Sequence, residues 1–365
     1  MIDTAKEPAL TTHEPRFGWR GLSLDVARHF FSVEDVVRVL DIVASLGLNR
    51  LHVHLTDDQG WRIDIPGWPE LVERSSGSGV GGGPGGFYTV DDWQRLRRAA
   101  SDRDIVLVPE IDLPGHTNAA LHAVAGLNVD GARPPAYHGM EVGFSSLRMA
   151  APATERFVRE VLGFMVDVSD GFVHIGGDES HATGEDEYAE LMGLTTDAVR
   201  SVGGTVVAWQ EAARFLAAGD YTQVWDERLA HDPVVEAANR GVKVICSPAS
   251  RVYLDMKYDE STDLGLTWMG TTELQRSAGW RPEELIADLP PESIAGVEAT
   301  IWTETITTFD ELSYMLLPRL AAVAEVANRG FVDWEDFATR LPDLARTWDE
   351  RGWRYHRSAG VRWPA

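Results

Sequence analysis

Eight short apolar runs recur along residues 20–302, separated by helical patterns, and most of them close on a charged or aromatic residue. They are 20–25 (RGLSLD), 48–55 (LNRLHVHL), 105–112 (IVLVPEID), 172–179 (FVHIGGDE), 205–210 (TVVAWQ), 222–225 (TQVW), 242–248 (VKVICSP) and 297–302 (VEATIW). Ser32 with Asp35, and Thr89 with Asp92, have the spacing of helix N-terminal caps, and Gly47 stops the first helix. Residues 157–168 read as a helix, 309–328 as one long amphipathic helix, and 332–353 as a further helix. Eight strands alternating with helices predict an α/β protein, a closed parallel (β/α)8 barrel of the TIM-barrel type rather than an open sheet. A single catalytic domain is expected over residues 16–365, with C-terminal helices, after an N-terminal extension of residues 1–15. The Gly-rich stretch 77–86 is a loop, too short to separate domains.

The strand ends hold the unusual side chains. Asp25 and Arg28 follow the first strand, Asp57 the second, Asp112 and His116 the third, and Asp178 and Glu179 the fourth. Trp209, Trp225, Trp302 and Glu304 mark later ones. In such a barrel the C-terminal ends of the strands form the active site. The chain has 13 Trp, so a cluster of them at that end would suit a ligand with a flat, apolar face, such as a sugar ring.

Composition excludes other classes. The net charge of −24 leaves no basic footprint for nucleic acid or for an anionic membrane surface. With 44% apolar residues the chain can build a core, so it is not a disordered one. It has no apolar run long enough for a membrane-spanning helix. Its first residues, MIDTAKEPALTTHEPRF, show no basic start and no apolar stretch, so no signal peptide is expected. Cys246 stands alone, which precludes an intramolecular disulfide. These features together point to the cytoplasm.

The sharpest motif is HIGGDE at 174–179. Two glycines allow a bend or a close approach, and two adjacent carboxylates follow. Close carboxylates push their proton affinities apart, which suits glycoside hydrolysis. The plainer reading is a loop whose Asp or Glu caps the next helix. Adjacency argues further. Neighbours on an extended strand point to opposite sides, so Asp178 and Glu179 make an awkward acid and nucleophile. They fit better if one protonates the leaving oxygen and the other assists a nucleophile carried by the substrate, such as a 2-acetamido group.

His52 and His54 share one face of the second strand, a pattern found in some metal-dependent barrel hydrolases. Later strands end in Trp209 and Trp225 instead of His or Cys, so no metal and no other cofactor is expected. The pair is better read as hydrogen-bonded inside the barrel. Asp57 is the stronger functional candidate. In PEIDLPGH at 109–116, Pro114 and Gly115 force a turn that brings Asp112 and His116 over the barrel mouth, unless that turn is purely structural.

These residues resemble glycoside hydrolase family 20, the β-N-acetylhexosaminidases. The likeness rests on 24–30 (LDVARHF), 56–61 (TDDQGW), 109–116 and 174–179, and continues through 253–258 (YLDMKY), 266–268 (LTW) and 301–304 (IWTE). It runs in order from about residue 16 to the C-terminus, and bacterial members like those of actinomycetes are the nearest in character. The resemblance implies Glu179 as general acid and base. Asp178 would orient the acetamido group, and Tyr253 would hydrogen-bond its oxygen. It implies a pocket walled by Trp209, Trp225 and Trp302, with Trp268 at its mouth. Arg28, Asp255 and Glu304 would grip ring hydroxyls, and Asp57, Asp112, His116 and His174 would support the catalytic pair. Two departures stand out. Many relatives have a small α+β domain before the barrel, where this chain has about 15 residues. The connection 180–204 looks short, and strand five reads Ala208, Trp209, Gln210, Glu211 where relatives often have Gly-Trp followed by other residues.

The function this implies is exo-acting removal of terminal β-linked GlcNAc or GalNAc, with retention, from an oligosaccharide or glycoconjugate. The intermediate would be an oxazolinium ion. Alternatives are a lacto-N-biosidase-type relative that takes a longer unit, and a silent sugar-binding barrel.

Overall fold

The computed structural model describes residues 14–364. All but two residues of the expected N-terminal extension, 1–15, lie outside that range. The eight strands are β1 (Trp19–Asp25), β2 (Arg50–His54), β3 (Val106–Glu110), β4 (Phe172–His174), β5 (Thr205–Trp209), β6 (Tyr221–Val224), β7 (Lys243–Cys246) and β8 (Ile294–Ile301). Each pairs in parallel with the strand before it, and β8 closes on β1 with Leu22 opposite Ala299. The barrel is thus the one expected.

Alternation along each strand sorts the side chains. Leu22 and Leu24 of β1, with Leu51 and Val53 of β2, join the large apolar layer beneath the outer helices. The intervening residues face the lumen. At its N-terminal end the lumen is plugged by Trp19, Val108, Val207 and Ile245, with Trp19 against Phe172 and Tyr221. Higher up the lumen is polar, with His52, Glu110, Gln223 and Glu298 all buried.

Both expected capping boxes form, Ser32–Asp35 on the helix Val33–Ser45 and Thr89–Asp92 on Val90–Ser101. The expected helix at 157–168 spans Thr154–Asp167, and the tail forms Trp334–Glu350. The connection 180–204 holds a full helix, Glu185–Arg200. After β5 the helix is replaced by a 3-10 segment, Gln210–Phe215. Among the described residues no helix is long and apolar enough to cross a membrane.

Three expectations are corrected. The long helix at 309–328 is two, Phe309–Leu316 and Arg319–Arg329. They part at Pro318, which has no N–H to continue the ladder and disfavours helical backbone at Leu317. The second strand stops at His54, and the chain turns out into a small antiparallel ribbon, Thr56–Asp57 against Gly60–Trp61. The fourth strand is short, ending at His174 rather than at Glu179.

Two buried arginines tie site loops to this frame through backbone carbonyls. Arg62 donates to Val26, Ala27, Ser76 and Ser78. Arg319 donates to Leu254, Met256, Thr272 and Met315 and lies 3.6 Å over the Tyr258 ring.

Candidate active site

The C-terminal strand ends surround a cavity of about 390 Å³. Its catalytic side is set by the loop after β4. Gly176, Gly177 and Glu179 all adopt left-handed backbone, with φ of 69°, 105° and 42°. Glycine is obligatory at 176, where the loop presses on Asp112. The Gly177 N–H donates to Asp112 Oδ1 at 3.2 Å, and the Tyr188 hydroxyl donates to the Gly177 carbonyl at 2.6 Å. The loop is thereby clamped between the end of β3 and the helix that follows it.

That bend changes where the two carboxylates go. An extended strand would split Asp178 and Glu179 to opposite sides. Here both converge on one imidazole: His116 Nε2 lies 3.7 Å from Asp178 Oδ2 and 3.6 Å from Glu179 Oε2. His116 Nδ1 faces Asp57 Oδ1 at 3.2 Å. Asp57 in turn accepts from Arg28 Nη2 at 2.8 Å and faces His54 Nε2 at 2.8 Å.

Burial opposes the charge on Asp57, but Arg28, His116 and His54 overcome it and hold the carboxyl well below its usual range. Burial also opposes a charge on His116, and Asp57 and Asp112 overcome it to raise that imidazole well above its usual range. Asp178 moves the other way. Burial, reinforced by Asp112, lifts its carboxyl well above the ordinary aspartate range. Asp112 is pushed up to about 7 by burial, with His116 opposing and Glu110 adding.

The aromatic side begins with Trp225 and Tyr253, whose rings stack at 6.2 Å and 11°. Trp302 stands on edge to Tyr253 at 6.1 Å, and Arg28 lies 5.0 Å over the Trp302 ring. Trp268, 42% exposed, stands on edge to both Trp225 and Tyr253 at the mouth. Gln210 fixes Trp225 by accepting from the backbone N–H groups of Trp225 and Asp226. Tyr253 is placed by its backbone pairing with Thr300 of β8. Glu304 lines the same cavity. Several buried polar atoms in or just behind this region have no hydrogen-bond partner among the described residues: Asp178 Oδ1, Asp255 Oδ2, and Arg28 Nε and Nη1, the last 3.6 Å from Asp25 Oδ2. Such groups suit a polyhydroxylated ligand.

Most of the expected residues therefore meet around one cavity. Three sit behind it. Trp209 is buried below the pocket wall, packed 6.1 Å from Trp302 and donating to Glu110 Oε1 at 2.9 Å. Asp255 is 1% exposed, its carboxyl raised well above the usual range by burial and by Glu304. His174 is wholly buried on β4 and touches Glu110, not Glu179. Four carboxylates escaped the sequence reading as functional candidates. Glu110 and Glu298 lie inside the barrel. Glu211 accepts from the Trp225 indole N–H at 3.1 Å, and burial with nearby Asp178 pushes it up to about 8. Asp58 holds Ser145 and the Asn118 N–H. Glu110 and Glu298 did leave a signal, since a carboxylate in a run facing the lumen must find partners. Met140 and Val142, which line the mouth, left none.

His52, Glu110 and His174 bring ligand-type atoms within 4.8 Å of one another. A metal does not fit them well. His52 Nε2 and His174 Nδ1 already engage Glu110 at 3.0 and 2.9 Å, so the nitrogen that would bind an ion is committed in each ring.

Comparison with known proteins gives a consistent set. The chain matches glycosyl hydrolase family 20, catalytic domain, over residues 17–191 and 182–330. It is 49% identical over 366 residues to a β-N-acetylhexosaminidase of Cellulomonas fimi, covering 99% of this chain and 74% of that protein. The family 20 β-N-acetylhexosaminidase of Streptomyces coelicolor superposes with a TM-score of 0.93 at 43% identity, covering 96% of this chain and 72% of the other. A variant of the Streptomyces plicatus β-hexosaminidase, in complex with the product GlcNAc, superposes with a TM-score of 0.92 at 43% identity and the same coverage.

Proposed function

The chain belongs to glycosyl hydrolase family 20, and from that premise we propose how its own residues carry out the family's substrate-assisted chemistry. The enzyme is a glycoside hydrolase of the β-N-acetylhexosaminidase type, and its substrate is a small sugar. It acts on the non-reducing end, releasing β-linked GlcNAc or GalNAc with retention.

One observation supports the mechanism above all. Asp178 and Glu179 converge on the same nitrogen of His116. Both carboxylates reach the cavity from one loop beside one imidazole, whereas an acid and an enzyme nucleophile would flank the scissile bond from opposite sides. The nucleophile therefore comes from the substrate. Its acetamido oxygen attacks the anomeric carbon as Glu179 gives a proton to the leaving oxygen. The oxazolinium ring that forms is then opened by water, from which Glu179 takes the proton back. Tyr253 donates a hydrogen bond to the acetamido oxygen and aims it.

Asp178 accepts from the acetamido N–H. A lone negative charge at this buried position is costly, which is why its carboxyl holds its proton so firmly. The charge becomes favourable when positive charge develops on the neighbouring nitrogen, so the contact is strongest in the transition state. Trp225, Tyr253 and Trp302 exclude water from the acetyl methyl, with Trp209 backing them. Arg28 and Glu304, which line the cavity, bind ring hydroxyls, and Asp255 just behind them offers an oxygen with no hydrogen-bond partner.

The test compares an aryl β-N-acetylglucosaminide with the matching β-glucoside. Activity is expected on the first and almost none on the second. Equal turnover would sink the substrate-assisted reading.

A further inference from the structure

From the cavity floor down into the barrel lumen runs a row of charged groups that no step above uses. From the bottom upward these are Glu298 of β8, His52 of β2, Glu110 of β3, His54 of β2 and Asp57 just beyond β2, all buried. His52 Nδ1 lies 2.9 Å from Glu298 Oε1, and its Nε2 lies 3.0 Å from Glu110 Oε2. His54 Nδ1 contacts that same Glu110 oxygen, and its Nε2 lies 2.8 Å from Asp57 Oδ2.

Counting protons fixes the state of this row. Four ring nitrogens each face a carboxyl oxygen, and each contact needs one hydrogen. Two neutral imidazoles bring only two. The row must hold two more. Other donors decide where these sit. Glu298 accepts from the Trp19 indole at 2.7 Å and the Gln223 amide at 3.0 Å. Glu110 accepts from the Trp209 indole. Asp57 accepts from Arg28 and from the Asp58 backbone N–H at 2.6 Å. Carboxylates so supplied favour their ionised form, and the extra protons belong to the rings.

We infer that His52 and His54 are imidazolium cations in the working enzyme, and that His54 is a positioning residue acting through Asp57 and His116 on the proton of Glu179. A neutral His54 would turn a lone pair toward either Asp57 or Glu110 and break the row. The other charged groups around the two rings act in both directions, the arginines against a cation and the carboxyls for it. Asp112 beyond β3 lies near His54, and Arg28 beyond β1 shares Asp57 with it. Arg50 of β2 lies near Glu298. His174 of β4 stacks on His52 at 4.5 Å, and burial lowers its own affinity for a proton. β5 and β6 bring only neutral Trp209 and Gln223. Burial works against both cations, yet Glu110 and its fellow carboxylates push His52 up to about 9 and His54 well above the usual range.

The kinetic half of this inference rests on Glu179 being the acid, and the spectroscopic half does not. The full chain labelled with ¹⁵N-histidine is examined by two-bond ¹H–¹⁵N correlation at about pH 8, well above the ordinary histidine value of about 6.5. At least two rings protonated on both nitrogens are expected, in the unaltered protein and in His116→Asn alike. Fewer than two in either overturns the inference. His54→Gln removes a positive charge beside Asp57 and so alters the field that reaches the acid through His116. The basic limb of kcat/KM is expected to move by about half a pH unit or more, and His52→Gln should move it less. An unmoved limb in both variants overturns the positioning role, however low their activity. Absence of activity on 2-acetamido glycosides in the unaltered protein would strike the functional reading instead, leaving the spectra to decide the charge state.

Discussion

A Cβ placed on Gly176 would lie 1.6 Å from Oδ1 of Asp112. Gly176→Ala is therefore expected to do more than add the roughly 1–2 kcal/mol that left-handed backbone costs an L-residue. Asp112 must move, and the loop bearing Asp178 and Glu179 must move with it. We expect a fall in kcat on the order of 100-fold together with a lowered Tm. Gly81→Ala is the control, since Gly81 has φ 68° but nothing within 4 Å of its Cβ position. Equal losses of Tm in the two variants would refute the steric account.

Glu179→Gln and Asp178→Asn should fail differently. Loss of the acid hurts least when the leaving group needs no proton, so Glu179→Gln should retain more activity on activated aryl glycosides than on disaccharides. Loss of Asp178 weakens the attack itself and should affect good and poor leaving groups more evenly. Each contribution is on the order of 10² to 10⁴ in rate. The measurement is kcat/KM across aryl leaving groups of rising pKa. A steep dependence for Asp178→Asn with a flat one for Glu179→Gln would mean the roles are reversed.

Burial pushes Asp112 up to about 7, against about 3.9 for an exposed aspartate. A carboxyl that holds its proton more tightly when folded favours the fold below the unfolded value. That contribution fades as the pH climbs toward 7. Asp112→Asn abolishes the titration and keeps the oxygen that accepts from Gly177. The Tm of the variant minus that of the wild type is thus expected to rise between about pH 4 and about pH 7. Asp178 is buried beside it and feels its charge, so the change spreads over a broad window. A constant difference would count against this electrostatic picture.

Arg319 offers its donors to four carbonyls, among them Leu254 between Tyr253 and Asp255. Arg319→Met leaves those carbonyls buried and unpaired, a loss of about 3 kcal/mol or more. Urea denaturation should show a lower midpoint, and KM should rise because Tyr253 loses its support. An unchanged midpoint would show that the carbonyls find other partners.

Treatment with EDTA is expected to leave activity intact, because His52 and His174 already direct a ring nitrogen each at Glu110. Activity lost to chelation and restored by zinc would reverse that conclusion.

The barrel was legible because each strand is a short apolar run ended by glycine, proline or a polar group, and because capping boxes at Ser32 and Thr89 marked helix starts. Pro318 was equally visible, yet the amphipathic period continues across it, and periodicity alone does not register a missing N–H. The catalytic pair was legible as residue types. Its geometry was not, because the left-handed turns at Gly176 and Gly177 arise from packing on Asp112, which lies far away in sequence. Trp209 illustrates the same limit, since a strand-end position does not say whether a ring faces the cavity or the layer beneath it. Glu110 and Glu298 signalled only that a carboxylate in such a run needs partners, and it took the closed lumen to show that these include His52.

Glu298 also bears on the order in which the molecule can mature. It lies on the last strand, where it meets Trp19 on the first and supplies one of the two carboxylates facing His52. A nascent chain still lacking residues 294–301 has an open seam between β1 and β7, and His52 then lacks half of its counter-charge. Closing the seam and completing the row up to His116 are one event. The site therefore cannot become competent by stages during synthesis from the N-terminus; it arises only when the final strand docks.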